Sequence, residues 1–137
     1  MKSKELLVCI DSNVFISGIA FNGIPYKVID HALLGNFMLL TSEAILTEVR
    51  NNLTGKLRLS ANSVDEVLGK FRKISTVVIP TGNITILDHA PDNLVLETAL
   101  MGGADILVTG DKKHLLPLGK FHGIIIEPPS RFLQRLE

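Results

Sequence analysis

Four acidic residues stand where chemistry is possible. Asp11 closes the apolar run Glu5-Leu-Leu-Val-Cys-Ile, and Asp111 follows Ile106-Leu-Val-Thr-Gly. Asp92 lies in the first turn of a helical segment leading into the second of these runs, and Glu48 lies in a helical segment with Asn51 and Asn52 on its face. Two carboxylates about 4 Å apart at an effective dielectric near 20 repel by roughly 4 kcal/mol. Gathered acids must therefore take up protons or bind cations. Mg²⁺ or Mn²⁺ suits such a donor set, because hard cations prefer carboxylate oxygens and the chain offers no paired soft ligands. One or two such ions can orient and deprotonate a water and stabilise charge on a phosphodiester. Taken singly, each acid also fits a plainer role. Asp11 and Asp111 could cap strand ends, Asp92 could favour a helix start through the macrodipole, and Glu48 could be an exposed helix acid.

The elements that would position these acids alternate along the whole chain. Strands are expected at Glu5–Asp11, Phe37–Thr41, Val77–Pro80, Ile106–Asp111 and Gly123–Glu127. They are short and continuously apolar, the pattern of strands buried on both faces. Helices are expected at Pro25–Asn36, Ser42–Arg50, Ser60–Ser75, Pro91–Met101 and Arg131–Leu136, with a short helical turn starting at Asp11-Ser12-Asn13. Val64, Val67, Leu68 and Phe71 keep helical spacing on one side of the third helix, while Asp65, Glu66, Lys70, Arg72 and Lys73 point outward. This alternation predicts an α/β fold: a three-layer α/β/α sandwich with a central, mainly parallel sheet of about five strands. In open parallel sheets ligands bind at the carboxyl ends of the strands. Asp11 and Asp111 occupy that position, and Asp92 can approach it.

Composition bounds the rest. The 137 residues suit one domain, 1–137, and 46% hydrophobic residues are ample for a core. No apolar run approaches the roughly 20 residues of a membrane span. The stretch from Met1 to Ile10 is too short in apolar residues for a secretory signal, which points to the cytoplasm. The single cysteine, Cys9, excludes a disulfide scaffold and reads as a small core residue. Fourteen basic residues balance fourteen acidic ones, so there is no global nucleic-acid footprint. If four acids are committed to a metal, however, the remaining surface carries fourteen basic residues against ten acidic.

The motifs resemble those of the PIN-domain family. Ile10-Asp-Ser-Asn-Val-Phe-Ile-Ser-Gly18 is similar to its opening block, Ser42-Glu-Ala-Ile-Leu-Thr-Glu48 to its second, and Asp92 through Val108-Thr-Gly-Asp111 to its third and fourth. Gly123-Ile-Ile-Ile-Glu-Pro-Pro-Ser-Arg-Phe-Leu133 resembles its close, so the likeness covers nearly the whole chain in order. The subgroup most resembled is that of small prokaryotic PIN proteins of the VapC type, toxin components of toxin–antitoxin pairs. The resemblance implies a Mg²⁺- or Mn²⁺-dependent ribonuclease, commonly a homodimer, that leaves 5′-phosphate and 3′-hydroxyl ends. It implies that Asp11, Glu48, Asp92 and Asp111 form the catalytic and metal-binding quartet, and that Asn13 and Thr109 hold those acids in place. Ser12 stands where Thr is common in the family. Ser12, Lys112, Lys113 and His114 are then positions from which substrate phosphates could be touched, although Lys112 to His114 fit a solvated loop equally well.

Other residues carry weaker expectations. Glu97 lies about 140° round the helix from Asp92 and should not share its face; a solvent or helix-pairing role is expected. Asp105 precedes its strand at the end remote from the acids and is expected to cap or turn the chain. Lys56, Arg58, Lys70, Arg72 and Lys73 could lead a polyanion toward the acids or simply form a solvated face. Few aromatics and no Trp argue against extensive base stacking. Competing functions fit less well. An aspartyl-nucleophile phosphatase wants an acid where Asn13 stands, and a receiver domain wants paired acids after its first strand. A PIN-like module that binds RNA or protein without cutting leaves the repelling acids without a purpose.

Overall fold

The computed structural model describes residues 5–83, 85, 87 and 90–137; Met1–Lys4 of the expected amino-terminal stretch lie outside the described residues. Strands are β1 (Leu7–Ile10), β2 (Met38–Ser42), β3 (Ser75–Val78), β4 (Ile106–Val108), β5 (Lys120–Phe121) and β6 (Ile124–Glu127). Helices are α1 (Ser12–Ala20), α2 (Ile24–Leu33), α3 (Glu43–Asn51), α4 (Ala61–Ile74), α5 (Ala90–Gly102) and α6 (Pro129–Leu136). A π-helical turn over Asn52–Lys56 continues α3, and a 3₁₀ turn spans Leu116–Leu118.

The sheet order is β3-β2-β1-β4-β6-β5, parallel except where β5 runs antiparallel to β6. Chain order runs outward from β1 toward β3 on one side and from β4 toward β6 on the other. The switch point therefore lies between β1 and β4, where open α/β sheets bind ligands. Asp11 and Asp111 follow the carboxyl ends of these two strands.

The α/β sandwich agrees with the sequence reading, but the sheet has six strands rather than about five. The extra strand, β5, turns into β6 through His122 and Gly123, both at positive φ (49° and 83°). This is the two-residue turn geometry that right-twisted hairpins favour. Two strand residues are too few to leave a periodic signal.

Two further expectations are corrected. The turn after Asp11 is a nine-residue helix. Its Val, Ile and Gly residues are weak helix formers, so packing sustains it: Phe15 meets Phe71 of α4 edge-on at 5.3 Å, and a Cβ on Gly18 would lie 2.8 Å from Ile29 Cδ1 of α2. The third strand covers Ser75–Val78, not Val77–Pro80. It pairs from Leu39↔Ser75 to Ser42↔Val78, so Ile79 and Pro80 fall beyond the end of β2.

Buried apolar side chains form one continuous cluster. Helix α5 packs across β1, β2 and β3; a Cβ on Gly102 at its end would lie 2.3 Å from a methyl of Leu40 in β2. Cys9, expected in the core, is fully buried there, and burial holds its thiol protonated. Among the described residues, no helix is long and apolar enough to cross a membrane.

Candidate active site

Asp11 sits at the step from β1 into α1, and its backbone N–H continues the β1–β4 ladder by donating to Val108 O at 2.9 Å. Its side chain is 4% exposed. Oδ1 accepts the Ser12 N–H at 2.8 Å, capping α1, and Oδ2 accepts the Thr109 hydroxyl at 2.8 Å. Burial raises its pKa from 3.8 to about 6, against those two hydrogen bonds and with added repulsion from Asp92 and Glu48.

Thr109 is wholly buried and links two of the acids. Its Oγ1 donates to Asp11 and accepts the Asp111 N–H at 3.0 Å. Asp111 Oδ1 in turn accepts the N–H groups of Lys113 at 2.9 Å and His114 at 3.2 Å. Burial pushes the Asp111 carboxyl upward, but these backbone donors and the nearby imidazole outweigh it, and its pKa falls below the ordinary value.

Asp92 comes from the first turn of α5, which the segment before it braces. Asn93 accepts the Leu87 N–H at 2.9 Å and donates to Leu87 O at 2.7 Å. The same helix is tied to α3, since Thr98 Oγ1 donates to Ser42 Oγ at 3.1 Å while Ser42 caps α3 through the Ile45 N–H. The helices that carry Asp92 and Glu48 are thus joined by one buried pair of hydroxyls. Glu48 is half-buried and borders a cleft of about 420 Å³ that also includes Thr47, Asn51, Asn52, Pro91 and Leu94.

His114 completes the group. Its Nδ1 stands 3.3 Å from Asp92 Oδ2 and 3.4 Å from Asp111 Oδ2. One donor atom from each of Asp92, Asp111 and His114 lies within 4.8 Å of the others. The donor set is hard oxygen plus one imidazole, and the chain's only thiol, Cys9, is buried in the core rather than at the cluster. A divalent cation of the Mg²⁺ or Mn²⁺ kind fits it.

The family model for the PIN domain matches residues 7–113. The chain belongs to the PIN-domain family. No curated protein matches it in sequence. Among solved structures, one similar chain belongs to VapBC2 from Rickettsia felis, bound to a DNA fragment from their promoter. That chain superposes with a TM-score of 0.61 at 14% identity, over 90% of the present chain and 98% of its own length. The likeness is one of fold.

The other residues singled out in the PIN-domain motifs fall in different surroundings. Ser12 is buried, its hydroxyl 3.5 Å from Asp11 Oδ1, so it faces the acid rather than open solvent. Asn13 is exposed, beside a cleft it shares with Gly110 and Asp111, and hydrogen-bonds to none of the acids among the described residues. The polar contacts to Asp11 are made by Thr109 and Ser12. Lys112 and Lys113 are exposed beside Asp111.

Glu97 departs from its expected solvent or helix-pairing role. It is 4% exposed and accepts the Thr81 N–H at 2.5 Å, the Thr81 hydroxyl at 2.6 Å and the Gly82 N–H at 2.8 Å. Its place round the helix does turn it from Asp92, toward a loop whose return to α5 has no local sequence signal. Asp105 closes the far end of the sheet by accepting the Leu7 N–H at 2.9 Å. Of the basic residues between Glu48 and β3, Lys56, Arg58, Lys70 and Lys73 are exposed, and Arg72 forms a two-pronged pair with Glu43.

Proposed function

We propose that this PIN domain is a Mg²⁺- or Mn²⁺-dependent ribonuclease that hydrolyses RNA phosphodiesters, and that it is the toxin component of a toxin–antitoxin pair. The observation that carries the reading is the grouping of Asp92, Asp111 and His114 at the β1/β4 edge, with buried Thr109 tying Asp11 to the backbone N–H of Asp111. Asp11, Asp92 and Asp111 would hold the cation, and Glu48 would complete the site. When bound, such a cation neutralises charge on a phosphodiester and supplies a water acidic enough to attack phosphorus.

The chain's own groups do the positioning. Thr109 and the Ser12 N–H fix both oxygens of Asp11, and the turn at Lys113–His114 fixes Asp111. Exposed Lys112 and Lys113 lie where a phosphate approaching Asp111 would meet positive charge. The cleft beside Glu48 gives an RNA strand a path into the acids. Hydrolysis leaves 5′-phosphate and 3′-hydroxyl ends.

The same reading takes residues 1–137 as one PIN domain in the cytoplasm, working as a homodimer with an antitoxin partner. The neighbouring VapBC2 assembly supports a partner of that kind. Phe21, Ile24 and Tyr26, exposed at the α1–α2 corner at 60%, 42% and 45%, are side chains that a partner or a second copy would cover.

The test is cleavage of a fluorescent single-stranded RNA with Mn²⁺, Mg²⁺ or EDTA, with Asp11→Asn beside wild type. Cutting that needs metal and disappears in the variant is the expected result. Tight RNA binding without cutting would favour a non-catalytic RNA- or protein-binding PIN module, and cutting that survives in Asp11→Asn would move the chemistry elsewhere.

A further inference from the structure

Among the described residues, His114 is the one member of the acid cluster that is not an acid. Its Nδ1 lies almost equally far from a carboxylate oxygen of Asp92 and one of Asp111, at 3.3 Å and 3.4 Å. Ligand atoms about 2.1 Å from a cation lie about 3.0–3.4 Å apart along an edge of its coordination shell. Both nitrogen–oxygen separations therefore already have the spacing of shared edges.

The backbone brings the ring there. Asp111 Oδ1 gathers the N–H groups of Lys113 and His114, and Leu116 N–H donates to Asp111 O at 2.9 Å. Leu115, immediately after the histidine, is fully buried and anchors the turn in the core. The imidazole is thus folded back over Asp111 with its side chain 44% exposed, at the mouth of the cluster.

We propose that His114 is a nitrogen ligand of the cation held by Asp92 and Asp111, and that it biases the site toward Mn²⁺ over Mg²⁺. The proposal rests on reading the acid cluster as a metal site. Mg²⁺ demands near-ideal octahedral oxygen coordination and gives up water reluctantly. An imidazole nitrogen is a softer donor, better matched to Mn²⁺ and the later first-row ions. A carboxylate quartet alone lacks that discrimination. The opposing role for the ring is that of a counter-ion filling the cation's place between the two acids. It carries the opposite sign: removing the ring would tighten metal binding.

The experiment titrates Mn²⁺ into wild type, His114→Ala, His114→Asp and Asp111→Asn at one neutral pH, following free Mn²⁺ by electron paramagnetic resonance. Mg²⁺ affinity is read by competition, and pulsed spectra of bound Mn²⁺ report any coupled nitrogen. The half-exposed ring lets the His114 variants fold, and thermal melts in EDTA verify it.

Wild type is expected to show nitrogen coupling, and both His114 variants to lack it. His114→Ala should weaken Mn²⁺ about tenfold while Mg²⁺ affinity stays within about twofold. His114→Asp should recover tight binding with the Mn²⁺-to-Mg²⁺ preference reduced about tenfold. Bound Mn²⁺ with no coupled nitrogen, or equal or tighter Mn²⁺ binding in His114→Ala, would overturn the proposal. If binding then still vanished in Asp111→Asn, the acid site would stand and only the histidine's role would fall. No Mn²⁺ binding by wild type would overturn both.

Discussion

Two buried acids at the same edge of the sheet are treated in opposite ways. Glu127 ends β6 and is 2% exposed; Asp11 follows β1, two strands away, and is 4% exposed. Glu127 is clasped by Arg135, with Nε at 3.1 Å and Nη2 at 2.8 Å from its two oxygens. Asp11 receives one backbone N–H and two hydroxyls, those of Thr109 at 2.8 Å and Ser12 at 3.5 Å, and among the described residues no lysine or arginine pairs with it. Two exposed acids follow the Glu127 pattern, Glu43 paired with Arg72 and Asp65 with Arg50. At the end of β6 the fold supplies its own cation, whereas buried Glu97 on α5, like Asp11, is held by neutral donors. At the β1/β4 switch point the donors to Asp11 are neutral, and on the proposed reading a bound cation balances its charge.

The largest expected effect follows from removing charge at the switch-point edge. Asp111→Asn should cut RNA cleavage about 10³-fold or more, the loss of several kcal/mol of transition-state stabilisation, as read in single-turnover kinetics. The sharpest contrast comes from Asp11→Asn. Its carboxyl titrates near 6 in the folded chain against an ordinary 3.8, so ionising it at neutral pH costs the fold on the order of 2–3 kcal/mol. Asp11→Asn should therefore abolish cleavage while raising the melting temperature in EDTA by roughly 3–10 °C.

Glu127→Gln should do the reverse. It strands Arg135 and costs about 1–3 kcal/mol in urea denaturation, while Mn²⁺ affinity stays unchanged.

The pH dependence separates the two acids as well. Between pH 4 and 6 the folded chain keeps a proton on Asp11 that the unfolded chain has released. Relative to Asp11→Asn, the metal-free protein should therefore lose stability as pH rises through that window. Metal affinity should run the other way, falling as pH drops through about 6, because binding must displace that proton. Melts and Mn²⁺ titrations across this range check both signs. The smallest effect belongs to the solvent-exposed Arg50–Asp65 pair, where Arg50→Ala should leave the urea midpoint within experimental error.

What the sequence revealed about this edge, and what it hid, follows from how far each interaction reaches along the chain. Asp11 and Asp111 were legible because each follows a continuously apolar strand, where a charge without a purpose is costly. Thr109 was legible only through the family resemblance, and its bridging role needs β1 and β4 to be neighbours, which no local pattern states. Helix α1 is hidden because its apolar residues sit on all sides and only packing against α2, α3 and α4 makes a helix of them. Glu97 was misjudged because its partners, Thr81 and Gly82, return from a loop sixteen residues earlier. For His114 the sequence offers a phosphate contact or a solvated loop; that it stands between Asp92 and Asp111 depends on a turn built from backbone hydrogen bonds, which side-chain spacing does not encode.

The central claim, that the switch-point acids are left for an external cation, is tested most directly by thermal melts of wild type and Asp111→Asn in EDTA and in excess Mn²⁺. At a metal concentration about 100 times the dissociation constant, linkage predicts about 2.7 kcal/mol of added stability. Wild type should melt several degrees higher with Mn²⁺, and Asp111→Asn should not move. Equal shifts in both proteins, or none in either, would contradict the account.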